Sequence, residues 1–142
     1  MKQYQISFNS AADSTSSFRE LRKKLDFGQE SRMLFQVFSG SKDKDAADMI
    51  AGELEKEFPG VSYAGCSTYG NIMYGDLCPD TYTAVCTVFE SSSARIETRQ
   101  YHLGKENVDR VIREVSQFAN ESPWVKAILL YTTVWETSMS SL

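Results

Sequence analysis

One histidine, three cysteines and three prolines are all that 142 residues hold of these types, and each scarcity removes a class of chemistry. A lone histidine, His102, cannot build a multi-histidine metal centre. No His, Cys and carboxylate set falls at metal-ligand spacing. Cys66, Cys78 and Cys86 are odd in number and contain no CxxC pair, which fits reduced thiols better than a disulfide framework or a zinc site. No basic run exceeds Arg22-Lys23-Lys24, and a net charge of −4 with a pI near 5.0 disfavours a nucleic-acid partner. The longest apolar run, around Ala127 to Tyr131, is far too short to span a bilayer, so no membrane segment is expected. The N-terminus, Met1-Lys2-Gln3-Tyr4-Gln5-Ile6, lacks the apolar core of a secretion signal, and a cytoplasmic location is expected. GxGxxG and the P-loop lysine are missing as well.

What the chain does have is a globular composition, 42% hydrophobic, and a length that suits one domain over residues 1–142. Gln3 to Phe8 alternates as a first strand. Phe18, Leu21 and Leu25 recur at helical spacing, with Ser14, Thr15 or Ser16 available as an N-cap. Met33 to Phe38 is a nearly continuous apolar run, which suits a strand covered on both faces. Ala47, Ile50, Ala51, Leu54 and Phe58 stripe the clearest helix, whose first turns carry Asp43, Asp45 and Asp48. Pro59-Gly60 stops it. Val61 to Gly65 reads as a third strand and Thr81 to Glu90 as a fourth. Ser91-Ser92-Ser93 turns into a fifth, Ala94 to Leu103, forming an antiparallel hairpin with charges alternating at Arg95, Glu97 and Arg99. Val108 to Ala119 is a second strong helix, and Trp124 to Val134 another central strand. The order predicts an α/β fold: a mixed sheet, a parallel core plus an antiparallel hairpin, with helices packed on it. A two-layer α+β arrangement is the alternative. The tail, Trp135 to Leu142, reads as unfinished, as if cut from a longer protein.

Chemistry gathers where strands end. In open α/β sheets ligands bind beyond the carboxyl ends of parallel strands. Ser39-Gly40-Ser41, Cys66-Ser67-Thr68 and Thr132-Thr133 would share one edge if their strands run parallel. The expected ligand-binding residues are Ser39, Ser41, Gly65, Cys66, Ser67, Thr68, Tyr69 and Gly70, in a glycine-punctuated stretch that lets backbone approach a ligand closely. Asp43 and Asp45 already occupy the positive end of the following helix, which argues against a phosphate there and favours a neutral or amine-bearing ligand. Cys66 has no base placed beside it, so a thiol-dependent enzyme is only an alternative. Gly65 to Gly70 also misses the GxSxG nucleophile elbow by one residue. His102 shares strand parity with Ile96, which predicts partial burial, and a lone histidine suffices for one axial bond to haem. Tyr63 and Tyr82 read as packing residues.

The hexapeptide Gly65-Cys66-Ser67-Thr68-Tyr69-Gly70 resembles the GCSTxG signature of the FIST N-terminal domain. Leu34 to Ser39 followed by Asp45-Ala46-Ala47 resembles that family's strand, serine turn and helix, and Ala127 to Tyr131 resembles its later strand. The resemblance covers the front of such a module. It implies a non-enzymatic bacterial sensory domain that binds a small ligand such as an amino acid. The attached output domain, lying outside this chain, would be a diguanylate cyclase, a histidine kinase or a methyl-accepting segment. No cofactor is implied in the leading reading. Some members are haem proteins that sense nitric oxide, which would give His102 its role. A module that only mediates association would form a homodimer and have no pocket.

Overall fold

The computed structural model of the chain describes residues 1–25, 32–40, 43–68, 71–73, 76–78, 81–90, 94–102, 104 and 106–131. It divides into two compact units, residues 1–98 and 99–142.

The first unit is built on a four-stranded sheet. Its strands are β1 (Lys2–Phe8), β2 (Met33–Ser39), β3 (Ser62–Ser67) and β6 (Tyr82–Val88), in the spatial order β1-β6-β2-β3. β2 and β3 run parallel, while β6 is antiparallel to both β1 and β2. The sheet is therefore mixed, and with its helices it forms an α/β fold, as the sequence pattern implies. A separate two-stranded ribbon, β4 (Asn71–Met73) and β5 (Asp76–Cys78), lies between β3 and β6 in the sequence.

Two helices cover one face of the sheet. α1 (Ser14–Lys24) buries Phe18 and Leu21, and its last turn carries Arg22, Lys23 and Lys24 against the negative dipole end. None of the three expected hydroxyl caps is used. Asp13 stands at the cap, and its carboxylate instead accepts from the Ser10 amide at 3.2 Å and the Ser10 hydroxyl at 2.8 Å. Ser14 is buried, and its hydroxyl donates to the Ala11 carbonyl at 2.6 Å. α2 (Lys44–Glu57) starts at Asp43, whose carboxylate accepts from the Asp45 amide at 3.0 Å. Its buried stripe runs through Ala46, Ile50 and Leu54 to Phe58. Ala47, expected in that stripe, is exposed, one position out of phase. The helix ends at Phe58, followed by Gly60 in the left-handed region at φ 76°.

The core is aromatic. Phe18 meets Phe8 and Phe35 edge-on at 5.9 and 6.0 Å, Phe35 lies 4.9 Å from Phe58, and Phe8 stacks on Tyr82 at 5.5 Å. Alternate residues of β2 and β6 feed this core: Met33 and Phe35 from one, Tyr82, Ala84, Cys86 and Val88 from the other. On the opposite face Leu34, Gln36 and Phe38 are only half-buried, so β2 is not sealed on both sides as its apolar run suggests.

Two expected strands do not form among the described residues. Residues 94–102 form no strand, so the hairpin of strands four and five does not exist among the described residues. The physical reason is that β6 has no free edge to offer, since β1 takes one side and β2 the other. The alternating charges find another use: Arg95 pairs with Glu97 at 3.2 Å. Residues 124–131 likewise form no strand, and Thr132 to Val134 lie outside the described residues.

In the second unit α3 (Val108–Glu121) carries the expected apolar stripe, with Val111 buried. Phe118 meets Trp124 edge-on at 6.0 Å and is covered by the Arg99 guanidinium, 3.7 Å from its ring centroid.

Candidate functional site at the sheet edge

Parallel pairing sets Ser39 directly opposite Ser67, at the carboxyl ends of β2 and β3. Tyr82, the first residue of β6, lies opposite Ser39 on the other side. The two polar clusters therefore share one edge, as their position at strand ends predicts. Thr68 completes it: its amide donates to the Ser39 carbonyl at 2.7 Å. Ser41, Tyr69, Gly70 and the Thr132-Thr133 pair lie outside the described residues.

β3 extends through Ser67, so Gly65, Cys66 and Ser67 belong to the strand rather than to a turn. Gly65 has a structural reason to be glycine. A Cβ there would run into the Val37 carbonyl oxygen and come within 3.2 Å of the Val37 carbonyl carbon and Cβ. Ser67 is exposed at the edge that the strand ends form. Tyr63 is half-buried against the core, and its hydroxyl donates to Glu55 at 3.0 Å. Burial and the Glu55 carboxylate both raise the Tyr63 pKa. Tyr63 and the buried Tyr82 are packing residues, as expected.

The residue that sequence reading misses is Asn71. Its side chain is only 7% exposed. Its amide donates to the Thr81 carbonyl at 2.7 Å and the Phe38 carbonyl at 3.4 Å, while its oxygen accepts from the Thr68 hydroxyl at 3.1 Å. Thr81 also accepts from the Gly40 amide at 3.1 Å. One buried amide thus ties the end of β2, the residue after β3 and the approach to β6 (Tyr82–Val88) into one clasp. A lone asparagine has no periodicity to betray it. The available signal is its place between Gly70 and an apolar pair, where an amide that both donates and accepts can bridge backbone groups.

Neither thiol among the described residues is activated. Cys66 is half-buried, and burial raises its pKa, which lowers its thiolate fraction. Cys86 is fully buried in the core, and desolvation pushes its thiol up to about 12. In the native chain, iodoacetamide should therefore label Cys66 more slowly than free cysteine, and Cys86 more slowly still, as read by peptide mass spectrometry. A Cys66 rate above that of free cysteine would reveal an activating base.

His102 is exposed, not partly buried; the strand parity shared with Ile96 has no meaning where no strand forms. Its carbonyl accepts from the Asn107 amide at 3.0 Å. Haem needs an apolar slot around its axial ligand, and a solvent-exposed imidazole does not fit that need. Among the described residues no group of His, Cys, Asp and Glu is placed to hold a metal ion. A shallow groove of about 410 Å³ in the second unit is lined by Arg99, Tyr101, Glu114, Gln117, Phe118 and Glu121. Both of its carboxylates are already engaged, Glu114 with Arg110 at 2.8 Å and Glu121 with Gln117 at 2.7 Å.

The polar ends of β2 and β3 thus meet at one edge of a mixed sheet, beside a Cys66 thiol whose pKa burial raises. The chain belongs to the FIST N domain family, whose model matches residues 33–139. This is a family of signal-transduction sensory domains, not an enzyme family. No curated protein and no solved structure gave a match. Among the described residues no helix is long and apolar enough to cross a membrane.

Proposed function

We propose that this chain is the ligand-binding part of a bacterial intracellular signal-input domain and that it takes a small amino-acid-like molecule at the β2/β3 edge. The observation that carries this reading is the register that sets Ser39 against Ser67, with Thr68 tied to Ser39 beside them. Hydroxyls and strand-end backbone groups converging at one edge suit a small polar ligand. Asp43 caps α2 with its own carboxylate, which discourages an anion there and favours an amine. The thiols Cys66 and Cys86 are free, which suits a reducing compartment. Ligand bound more tightly in one of two conformations would shift an attached output domain of diguanylate cyclase, histidine kinase or methyl-accepting type.

Calorimetric titration with the standard L-amino acids tests this. Ser67→Ala removes an exposed hydroxyl without touching the Asn71 clasp. It should weaken binding about five- to tenfold, the worth of one hydrogen bond. Unchanged affinity in that variant would move the site away from this edge.

A further inference from the structure

Ser67 and Thr68 are neighbours in the polar cluster that ends β3, yet their hydroxyls stand in different surroundings. Ser67 is exposed, and its hydroxyl makes no hydrogen bond among the described residues. The Thr68 hydroxyl is part-buried, 3.1 Å from the Asn71 side-chain oxygen and 3.5 Å from the Ser39 carbonyl oxygen. A hydroxyl has one proton to give, and the shorter contact takes it. Asn71 in turn donates to the Thr81 carbonyl at 2.7 Å and to the Phe38 carbonyl at 3.4 Å. The Thr81 carbonyl accepts a second bond, from the Gly40 amide at 3.1 Å, and the Thr68 amide donates to the Ser39 carbonyl at 2.7 Å. Those bonds close a ring through Thr68, Asn71, Thr81, Gly40 and Ser39. Phe38, Ser39 and Gly40 are each held by it, and Ser67 is held by the residue that follows it.

We propose that Thr68 and Asn71 are positioning residues of the β2/β3 edge. They fix Ser39 and Ser67 in the geometry that a ligand meets, and neither side chain touches the ligand. This rests on the sheet-edge binding reading above and divides its polar cluster into two roles, contact for Ser67 and support for Thr68. A strand end has few ladder bonds to hold it, and a ligand that must first order its own site binds more weakly. The ring removes that cost, because it ties the ends of β2 and β3 and the approach to β6 before any ligand arrives. Thr68 then acts on affinity only through Asn71 and Ser39.

A double-mutant cycle in ligand affinity tests the proposal. The full chain is titrated calorimetrically with the standard L-amino acids, at a temperature where circular dichroism shows every variant folded. Thr68→Val keeps the shape of the side chain and removes its proton, and Asn71→Ala removes the other half of the pair. Each should weaken binding about fivefold, the worth of one hydrogen bond. Thr68→Ser keeps the hydroxyl and should bind within about twofold of the wild type. The double variant should bind no more weakly than the worse single one, because both substitutions break the same chain of bonds. Ile50→Val, a buried core change, lowers stability and should leave affinity alone.

If Thr68→Val costs a further factor of about five in the Asn71→Ala background, Thr68 touches the ligand itself and the proposal is overturned. An equal loss of affinity in Ile50→Val would overturn it as well, since affinity would then merely follow stability. Weakened binding in Ser67→Ala with none in Thr68→Val or Asn71→Ala would sink the positioning roles and leave the binding reading standing. If no amino acid gives heat, the binding reading falls and the positioning roles fall with it.

Discussion

Gly65→Ala should unfold this protein about 10 °C earlier than the wild type in a thermal melt, against the ordinary trend for the substitution. Elsewhere in a strand, replacing glycine by alanine removes backbone freedom from the unfolded chain and stabilises by about 0.4–1 kcal/mol. At Gly65 the new methyl group meets a backbone oxygen, that of Val37 on the paired strand, and backbone has no rotamer by which to yield. β3 must move away from β2 along a register that runs from Leu34↔Ser62 to Ser39↔Ser67. Overpacking of this kind costs about 3 kcal/mol, and in a chain of this size each kcal/mol lowers Tm by roughly 3–5 °C. Gly52 supplies the control. It lies inside α2, is exposed, and a Cβ there would meet nothing within 4 Å. Gly52→Ala should raise stability by about 0.5–1 kcal/mol through helix propensity alone. If both alanines stabilise, the close approach of Val37 to Gly65 is wrong. The melt also separates structure from binding, because Gly65→Ala displaces Cys66 and Ser67 without removing any polar group.

Asn71→Asp should cost about 3 kcal/mol at neutral pH, and the loss should shrink in acid. The substitution keeps shape and leaves an acceptor for the Thr68 hydroxyl. It deletes the donor that serves the Thr81 and Phe38 carbonyls and sets a carboxylate oxygen against them. A lost charge-free donor costs about 1–3 kcal/mol, and burying an unpaired charge adds to that. In the folded variant, burial and facing carbonyls would raise the carboxyl pKa above its unfolded value of about 4. A raised folded pKa gives the variant its best relative stability below that unfolded value, and stability falls as pH rises through the folded one. Denaturant titrations of wild type and variant from acid to neutral pH read this directly. A difference that stays constant with pH would mean that the introduced carboxylate is solvated and the clasp is loose.

Sequence pattern is informative as far as structure is local. The stripe Ile50, Leu54 and Phe58 locates α2, and the apolar run Met33 to Phe38 followed by a serine locates β2 and its polar end. A helix between two strands implies their parallel pairing, and Ser39 does lie opposite Ser67. Pattern fails where a partner is chosen by the whole molecule. Ser91-Ser92-Ser93 is a good turn signal, but β6 (Tyr82–Val88) is already flanked by β1 and β2, which lie far earlier in the sequence. The alternation that would half-bury His102 exists only in strands. The ribbon β4–β5 has strands of three residues each, too short for a period of two to register. Asn71 is legible only once the carbonyls it bridges are in place. Gly65 suggests freedom to approach a ligand, whereas the structure gives it a strand-packing role.

The insertion of β6 between β1 and β2 bears on how the chain is made. β1 and β2 touch the same strand from opposite sides, with Lys2 and Met33 both opposite Val88. A nascent chain that stops short of Tyr82 already contains α1, α2, β1, β2 and β3, yet lacks the strand that joins β1 to the rest. Until then Phe8 has no Tyr82 to stack on, and the inner edge of β2 has unpaired amides and carbonyls. Contacts spanning so much sequence slow folding and lengthen the interval in which such an edge can pair with a stranger. Synthesis of this domain therefore passes through a sticky stage that ends when Val88 clears the ribosome, and holding chaperones would act in that window.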